Sequence, residues 1–341
     1  MVDILHCEDA VKSLTVNNHT FPVLRLLSDG DFHSGQTLGE QLGISRAAVW
    51  NAIKEAQELG VEIHSVHGKG YRLSSAIDFL DADRINHALN STARNFTLEL
   101  LETTTSTNSD LMKRAAADAP QGTCIAAELQ QAGRGRRGRA WVSSLGSGLT
   151  FSLLWRFSQG AVALGGLSLA VGVALVRALS EVGITQLALK WPNDVLHADK
   201  KLAGTLIELQ GEMLGPTAAV IGIGLNIKLP DEVKTGIDQP VADLTEAGNL
   251  QAPPRNELLA VLLRHLYDVL SEFEQQGFTA LRDEWQQHHA HHGKLAQLTL
   301  PNGLLKTGIV NGIDADGALL VNVGGQVQRF STAEISLRSP A

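Results

Sequence analysis

The sequence predicts a multidomain protein of the α/β (α+β) class, and three observations predict it. Its 341 residues exceed what one ordinary hydrophobic core organises. Between residues 97 and 226, strand-like and helix-like stretches alternate, the pattern of a mixed sheet with helices packed on it. The chain before this region reads as helices followed by a hairpin, and the chain after about residue 293 reads as short strands broken by Asn-Gly, Asp-Gly and Gly-Gly turns. Three units follow, over residues 1–75, 76–290 and 291–341.

Composition limits the class. Apolar residues make up 44% and charged residues 19% of the chain, which suits an ordered globular protein. Cys7 and Cys124 fit neither a disulfide framework nor a metal pattern, so a reducing cytoplasm is expected. The start "MVDILHCEDA" lacks the basic-then-apolar order of a signal peptide. From Phe157 to Val176 the chain runs about 20 residues without a charge, long enough to span a bilayer. It holds four glycines and leads directly into Arg177 and Glu181, so it reads as a helix buried against a sheet, and no membrane is expected.

Residues 20–73 have their own logic. A short helix over Pro22–Leu27 ends at Gly30, and two further apolar helical periods are separated by Gly43. Ser45 suits the N-cap of the second, its hydroxyl accepting from free first-turn amides. There Val49, Ala52, Ile53, Ala56 and Leu59 recur at helical spacing and face inward, which turns Arg46, Ala47, Trp50, Asn51 and Lys54 outward. Gly60 closes the helix, and "VEIHSVHGKGYRL" alternates around its turn like a β-hairpin. This is the order of a winged helix-turn-helix, with Lys69 near the wing tip to meet phosphates. The competing reading is a lid or a partner surface. Residues 1–75 carry six Lys or Arg against nine Asp or Glu, so sequence-independent attraction to DNA is weak.

"SSAIDFLDAD" connects to the central unit, whose strands are expected in "TLELLE", "TCIAAEL", "LTFSLLW", "QLALKW", "LIELQ" and "AAVIGIGLN". The helix from Asn256 presents Leu258, Leu259, Leu262, Leu266, Leu270 and Phe273 as one stripe. The closing strands form a small barrel-like domain.

Six stretches bear on chemistry. In "QQAGRGRRGRAWVS", Gly133, Gly135 and Gly138 allow close backbone approach, while Arg134, Arg136, Arg137 and Arg139 offer forks that match phosphate or carboxylate oxygens. Such like charges repel until an anion arrives, so the loop is expected to lack order when empty; a solvated basic loop or an arginine-rich nucleic-acid patch is the alternative. In "ALKWPND", Lys190 and Trp191 precede Pro192, which favours extended backbone at a strand end, where sheet ligands sit. Lys190 is either a compact charge for a carboxylate and a phosphate or a surface lysine, with Asp194 a turn former. "ETTTSTNSDL" places Ser106, Thr107 and Asn108 at a helix entry, as ligands or as caps. "KLAGTLIELQG" begins with Lys200 and Lys201, and Gly204 invites close approach. "GIGLN", ending at Asn226, lacks the third glycine of a dinucleotide fingerprint, and that reading is rejected. "HHAHHG" lacks acidic or Cys partners at ligand spacing, so no metal site is expected. Neither G-x-x-x-x-G-K-[ST] nor G-x-S-x-G occurs, which excludes a P-loop NTPase and an α/β-hydrolase.

"GRGRRGR" followed by Trp141, then "KWPND", "KLAG" and "GIGLN", with the earlier "STN", resemble the biotin protein ligases in this order. With "FHSGQTLGEQLGISRAAV" and "GKGY" ahead of them, the chain over roughly residues 20–338 is similar to the bifunctional family of biotin ligases that are also biotin operon repressors. The resemblance implies a central domain of the biotin/lipoate ligase type and a C-terminal SH3-like barrel. It implies that ATP and biotin give biotinyl-5'-adenylate and pyrophosphate, after which a lysine of the biotin carboxyl carrier protein of acetyl-CoA carboxylase attacks the mixed anhydride. Ser106, Thr107 and Gln130 are then partners of the biotin ureido head. The backbone of Arg134 and Gly135 and the side chain of Arg136 close over the adenylate. Trp141 packs on adenine, and Asn108, Gly204 and Asn226 complete the binding set. Lys190, catalytic together with Arg136, bridges the carboxylate and the α-phosphate. Mg2+ accompanies ATP without a dedicated protein cage. Ser45, Arg46, Ala47, Trp50, Asn51, Lys54 and Lys69 face operator DNA, bound by a homodimer that the adenylate promotes. A lipoate ligase-like acyltransferase and a ligand-sensing transcription factor without ligase activity are the alternatives.

Overall fold

The computed structural model describes residues 16–248, 253–300, 303–331 and 336–338; Cys7 and the start of the chain lie outside them. Helices α1 (Thr20–Leu26), α2 (Gly35–Leu42) and α3 (Arg46–Glu58) precede the hairpin β1 (Ile63–Val66) and β2 (Gly70–Leu73). The starts of α2 and α3 are set by chemistry legible in the chain. Ser34 Oγ accepts from Thr37 N at 3.0 Å and Ser45 Oγ from Ala48 N at 3.1 Å, the N-cap geometry that satisfies first-turn amides. Phe21, Leu24, Leu27, Leu38, Val49, Ala52, Ile53 and Ala56 are buried together with Leu73 of the wing. Each of the larger of these side chains contributes about 1.5–3 kcal/mol, and together they hold a unit whose separate elements are too short to be stable alone. Leu59, expected inside, is half-buried at the helix end.

This core does not stop at the connection. Phe79 of the linker and Leu129 and Leu145 of the central unit belong to it. The linker is also held by charge. Arg255 Nη1 donates to Asp78 O at 2.9 Å and to the buried Glu128 Oε2 at 2.6 Å, while Leu80 N donates to Glu128 Oε1 at 2.6 Å. Residues expected to be a plain connection therefore form a buried polar joint, and the winged unit is anchored on the strand that carries Glu128.

The central sheet has seven strands: β3 (Thr97–Thr104), β4 (Thr123–Gln130), β5 (Gly148–Phe157), β6 (Leu187–Lys190), β7 (Asp194–His197), β8 (Lys200–Gly211) and β9 (Thr217–Asn226). Their order is β3-β4-β5-β9-β8-β7-β6, with only β3 and β4 parallel. Helices α4 (Ala82–Leu89), α5 (Thr107–Ala116), α6 (Leu167–Glu181), two short helices α7 (Asp231–Thr235) and α8 (Leu244–Ala247), α9 (Arg255–Gln276) and α10 (Arg282–Gln287) complete the unit. Alternation along the strands sorts the two faces. Ile125, Leu154 and Val220 pack under α5, whereas Cys124, Leu153 and Ile221 point to the core shared with α6 and α9.

Two expectations need correction. The uncharged run from Phe157 is not one helix: Phe157 ends β5, Ala161–Leu164 form a 3-10 turn, and α6 begins only at Leu167. Gly166, at φ +80°, supplies the left-handed turn that starts it. Among the described residues no helix is long and apolar enough to cross a membrane. "KWPND" is not an extended exit from a strand but the turn of a β6–β7 hairpin, with Lys190 opposite Asp194. The shortness of β7, only four residues, hid it from the sequence pattern.

The C-terminal unit is one antiparallel sheet: β10 (Leu295–Thr299), β11 (Leu305–Ile313), β12 (Leu319–Val323), β13 (Gln326–Phe330) and β14 (Ser336–Arg338), in the order β13-β12-β11-β10-β14. The last strand, β14, pairs with the first, β10, and among the described residues no ladder joins β13 to β14.

Candidate active site

A single cavity gathers ten of the expected site residues: Ser106, Thr107, Asn108, Gln130, Arg134, Gly135, Arg136, Trp141, Gly204 and Asn226 all line it. They arrive from β4, β8, β9, the start of α5 and the arginine loop. Ser106 caps α5, its Oγ accepting from Ser109 N at 3.5 Å, so the cap reading and the ligand reading of "STN" describe the same turn. Gln130 closes β4, and its Oε1 accepts from Thr107 N at 2.8 Å and Thr107 Oγ1 at 3.0 Å. One glutamine thus ties the helix entry to the strand that leads into the arginine loop.

The loop, expected to lack order, is folded back on itself. Gly135 N donates to Arg139 O at 2.7 Å and Trp141 N to Gly133 O at 2.8 Å. Arg134 Nη2 donates to Ser109 Oγ at 2.8 Å and lies 3.5 Å from Glu208 Oε1, and Arg136 Nη1 reaches Asn193 Oδ1 at 3.5 Å. These contacts offset the like-charge repulsion. Burial, and next the neighbouring Arg137, hold the Arg136 guanidinium below its usual pKa. An anion beside it relieves both penalties at once, so the loop is electrostatically prepared for phosphate.

Trp141 folds over β9. A Cβ on Gly224 would stand 2.2 Å from its Cε2, so only glycine admits the indole there. Lys201 Nζ lies 5.7 Å from the ring centroid, a cation–π contact. The "GIGLN" stretch, rejected as a dinucleotide fingerprint, is the cavity floor: Gly222 and Gly224 both line it, and the glycines serve close packing of Asn108 and Trp141.

Lys190 is the exception. It is half-buried at the end of β6 and does not line the cavity, whereas Lys201 does. Strict alternation from Gly204 puts Lys201 on the opposite face of β8. A register shift between β7 and β8 at Val195/Leu196 pairs Asp194 with Gly204 but Leu196 with Lys201, and this bulge turns Lys201 inward. Its Nζ stands 2.8 Å from Asp194 Oδ1. Asn193, Asp194, Ile237, Gln239 and Val241 also line the cavity and carried no signal in the sequence as ligand contacts.

Of the outward positions on the winged unit, Ser45, Arg46, Ala47, Trp50, Asn51, Lys54 and Lys69 are all exposed, Trp50 at 54%. Lys54 Nζ lies 5.8 Å from the Trp50 ring centroid, and Lys69 and Arg72 flank Phe32. The Ser45 hydroxyl is engaged as a cap. The histidine stretch sits elsewhere: His289 and His291 are buried, and among the described residues no group of three or more His, Cys, Asp or Glu is arranged to hold a metal.

Known proteins share this arrangement. The sequence pattern of the Biotin/lipoate A/B protein ligase family matches residues 100–226, an HTH domain residues 21–72, and the Biotin protein ligase C terminal domain residues 291–338. The bifunctional ligase/repressor BirA of Salmonella typhimurium is 39% identical over 93% of this chain and 97% of its own length, and that of Escherichia coli 38% over 95% and 99%. The biotin protein ligase of Aquifex aeolicus, solved with biotin and ATP, superposes with a TM-score of 0.61 at 27% identity over 72% of this chain and 99% of its own. Three matched segments in the same order, and relatives alike over nearly their whole length, lead to one conclusion: the chain belongs to the bifunctional ligase/repressor family of biotin protein ligases.

Proposed function

We propose that this chain activates biotin with ATP, transfers it to a lysine of a biotin carboxyl carrier protein, and represses a biotin operon when its adenylate is bound. The observation that carries this reading is the shared cavity, in which a polar end at Thr107 and Gln130 is joined to a cationic end at Arg136 and Lys201. That polarity fits a ligand with a neutral, hydrogen-bonding head and an anionic tail beside a nucleotide.

In the first step a biotin carboxylate oxygen attacks the α-phosphorus of ATP, the new P–O bond forms, and pyrophosphate leaves. Arg136 and Lys201 supply fixed positive charge where negative charge gathers, the usual protein contribution to phosphoryl transfer. In this assignment Lys201 takes the role expected of Lys190. Trp141, seated on Gly224, offers its ring to adenine. In the second step the neutral lysine amine of the carrier attacks the carbonyl carbon and AMP leaves. No enzyme nucleophile is required, because the mixed anhydride is already electrophilic.

Mg2+ fits in a limited way. Asp194 faces this cavity from β7, its Oδ1 paired with Lys201 Nζ at 2.8 Å, and it is a carboxylate of the lining. One carboxylate suits an ion that arrives on nucleotide phosphates and neutralises their charge.

The exposed face of α3 and the wing support operator binding, and a homodimer promoted by the adenylate belongs to this reading, as does a cytoplasmic location, in keeping with the buried free thiol of Cys124. The deciding experiment is pyrophosphate release with ATP and biotin, followed by addition of an apo carrier domain. Biotin-dependent release and a biotinylated carrier are expected. Release with lipoate and not biotin would overturn the assignment.

A further inference from the structure

From the half-buried Glu208, a hydrogen-bonded chain runs through Asn108, the buried Ser152 and Thr107 to Gln130 in the cavity wall. Asn108 Nδ2 donates to Glu208 Oε2 at 2.8 Å and to Leu206 O at 3.1 Å. Both of those groups are acceptors, so the amide has one permitted orientation, with its two protons spent and Oδ1 turned away. Ser152 Oγ, fully buried on β5, lies 2.6 Å from Asn108 Oδ1 and 2.7 Å from Thr107 Oγ1. A serine has one proton. Asn108 Oδ1 has none to offer, so the serine is the donor in both contacts and its proton lies between Asn108 Oδ1 and Thr107 Oγ1. The Thr107 hydroxyl donates in turn to Gln130 Oε1, 3.0 Å away, so it has no proton left to offer a ligand. Gln130 Oε1 also receives Thr107 N, so the glutamine turns its Nε2 toward Gly133 at the mouth of the loop.

We propose that Glu208 and Ser152 are positioning residues which, acting through Asn108, fix the hydrogen-bond polarity of the polar end of the cavity: an acceptor at Thr107 Oγ1 and a donor at Gln130 Nε2. The inference rests on the biotin reading given above and deepens it. A ring urea offers the complement, an N–H beside a carbonyl, and the chain selects for it before the ligand arrives. A buried network that is fully satisfied holds one proton arrangement, and loss of a single member frees the others to turn. Glu208 lies outside the cavity lining and Ser152 is sealed from it, so neither acts by direct contact. The glycine at 222 belongs to the same device, because a Cβ there would stand 2.2 Å from Asn108 Oδ1.

The test uses the full chain and follows pyrophosphate release with biotin and with the two analogues in which one or the other ring N–H is replaced by oxygen. Ser152→Ala and Glu208→Leu are each expected to raise KM for biotin about tenfold, the scale of one well-made buried hydrogen bond, with kcat and KM for ATP within about twofold. Both are expected to shrink the preference for biotin over at least one analogue by a similar factor. Glu208→Gln keeps an acceptor for Asn108 and is expected to restore both values. Glu208 also touches Arg134, whereas Ser152 does not, so agreement between the two variants isolates the path through Asn108. Should either variant fail to fold, the other carries the test. Folded variants with unchanged biotin KM and preference, or with kcat and both KM values altered alike, overturn the inference while leaving the ligase assignment intact. A wild-type chain without biotin-dependent release overturns both.

Discussion

Lys201 Nζ stands 2.8 Å from the carboxylate of Asp194, and both line the cavity from neighbouring strands. Lys190, directly opposite Asp194 across the β6–β7 hairpin, does not line it. Removing a fixed charge aimed at a reacting phosphate costs on the order of 10²–10³ in rate, so Lys201→Met is expected to lower the rate of pyrophosphate release by that much. Lys190→Met is expected to retain at least about tenfold more activity than Lys201→Met. Initial rates at saturating biotin and ATP decide it, and equal or reversed losses return the role to Lys190.

Gly224 sets the seat of Trp141. An alanine there places its methyl within 2.2–2.3 Å of the indole Cε2 and Cζ2, and overpacking of this kind costs about 1–3 kcal/mol. Gly224→Ala and Trp141→Ala are therefore each expected to raise KM for ATP roughly tenfold, with KM for biotin less affected. Native KM for ATP in the Gly224→Ala enzyme would sink the platform role.

These two residues show why part of the site was legible in the chain and part was not. Arg136 sits in a short motif whose chemistry survives without coordinates, Ser106 and Gln130 gained their roles only through the resemblance to the biotin protein ligases, and Ser45 is a cap that reads directly from its place before an apolar period. Lys201 was visible as a charge but not as a ligand, because alternation along β8 sends it outward and only the bulge beside Leu196 reverses that. The joint between Arg255 and Glu128 spans 127 positions of chain, and no local pattern reports so distant a pair. The same holds for Ser152, whose partners Thr107 and Asn108 lie 45 and 44 positions away.

The histidine stretch gives a pH dependence of stability. His289 is buried with its ring 4.6 Å from that of Trp285, and neither of its nitrogens has a hydrogen-bond partner. Burial first, then His291, His292 and Lys294, press its pKa down to about 3; burial and then Lys190 and Lys294 press His291 to about 4, with Asp199 opposing. The unfolded chain titrates near the ordinary value, so it takes up protons first as pH falls. Stability is thus fully present above about pH 6.5 and lost below it, by roughly 1.4 kcal/mol per pH unit for each histidine. His289→Phe keeps the ring against Trp285 and loses no hydrogen bond. Its denaturation midpoint is expected to match or exceed that of wild type at pH 8 and to fall less steeply toward pH 5. Parallel pH profiles for the two proteins would refute this.

The DNA face yields the last prediction. Residues 1–75 hold six basic against nine acidic side chains, so sequence-independent affinity is weak and any tight binding has to come from a few well-placed groups. Arg46, at the first position of α3, and Lys54, two turns on, are exposed on the side away from the core, with Lys69 at the wing. An arginine that reads a base edge is worth about 1–3 kcal/mol, whereas a lysine on a phosphate lowers the salt slope by about one. Arg46→Ala is therefore expected to weaken adenylate-dependent retention of operator DNA about tenfold or more at fixed salt. Lys69→Ala is expected to flatten the dependence of log affinity on log salt with a smaller loss. Neither residue lines the cavity, so pyrophosphate release measured on the same preparations is expected to stay at the wild-type rate, which separates a lost DNA contact from a misfolded chain. Retention unchanged in both variants, at every salt concentration, would remove α3 and the wing from the DNA interface.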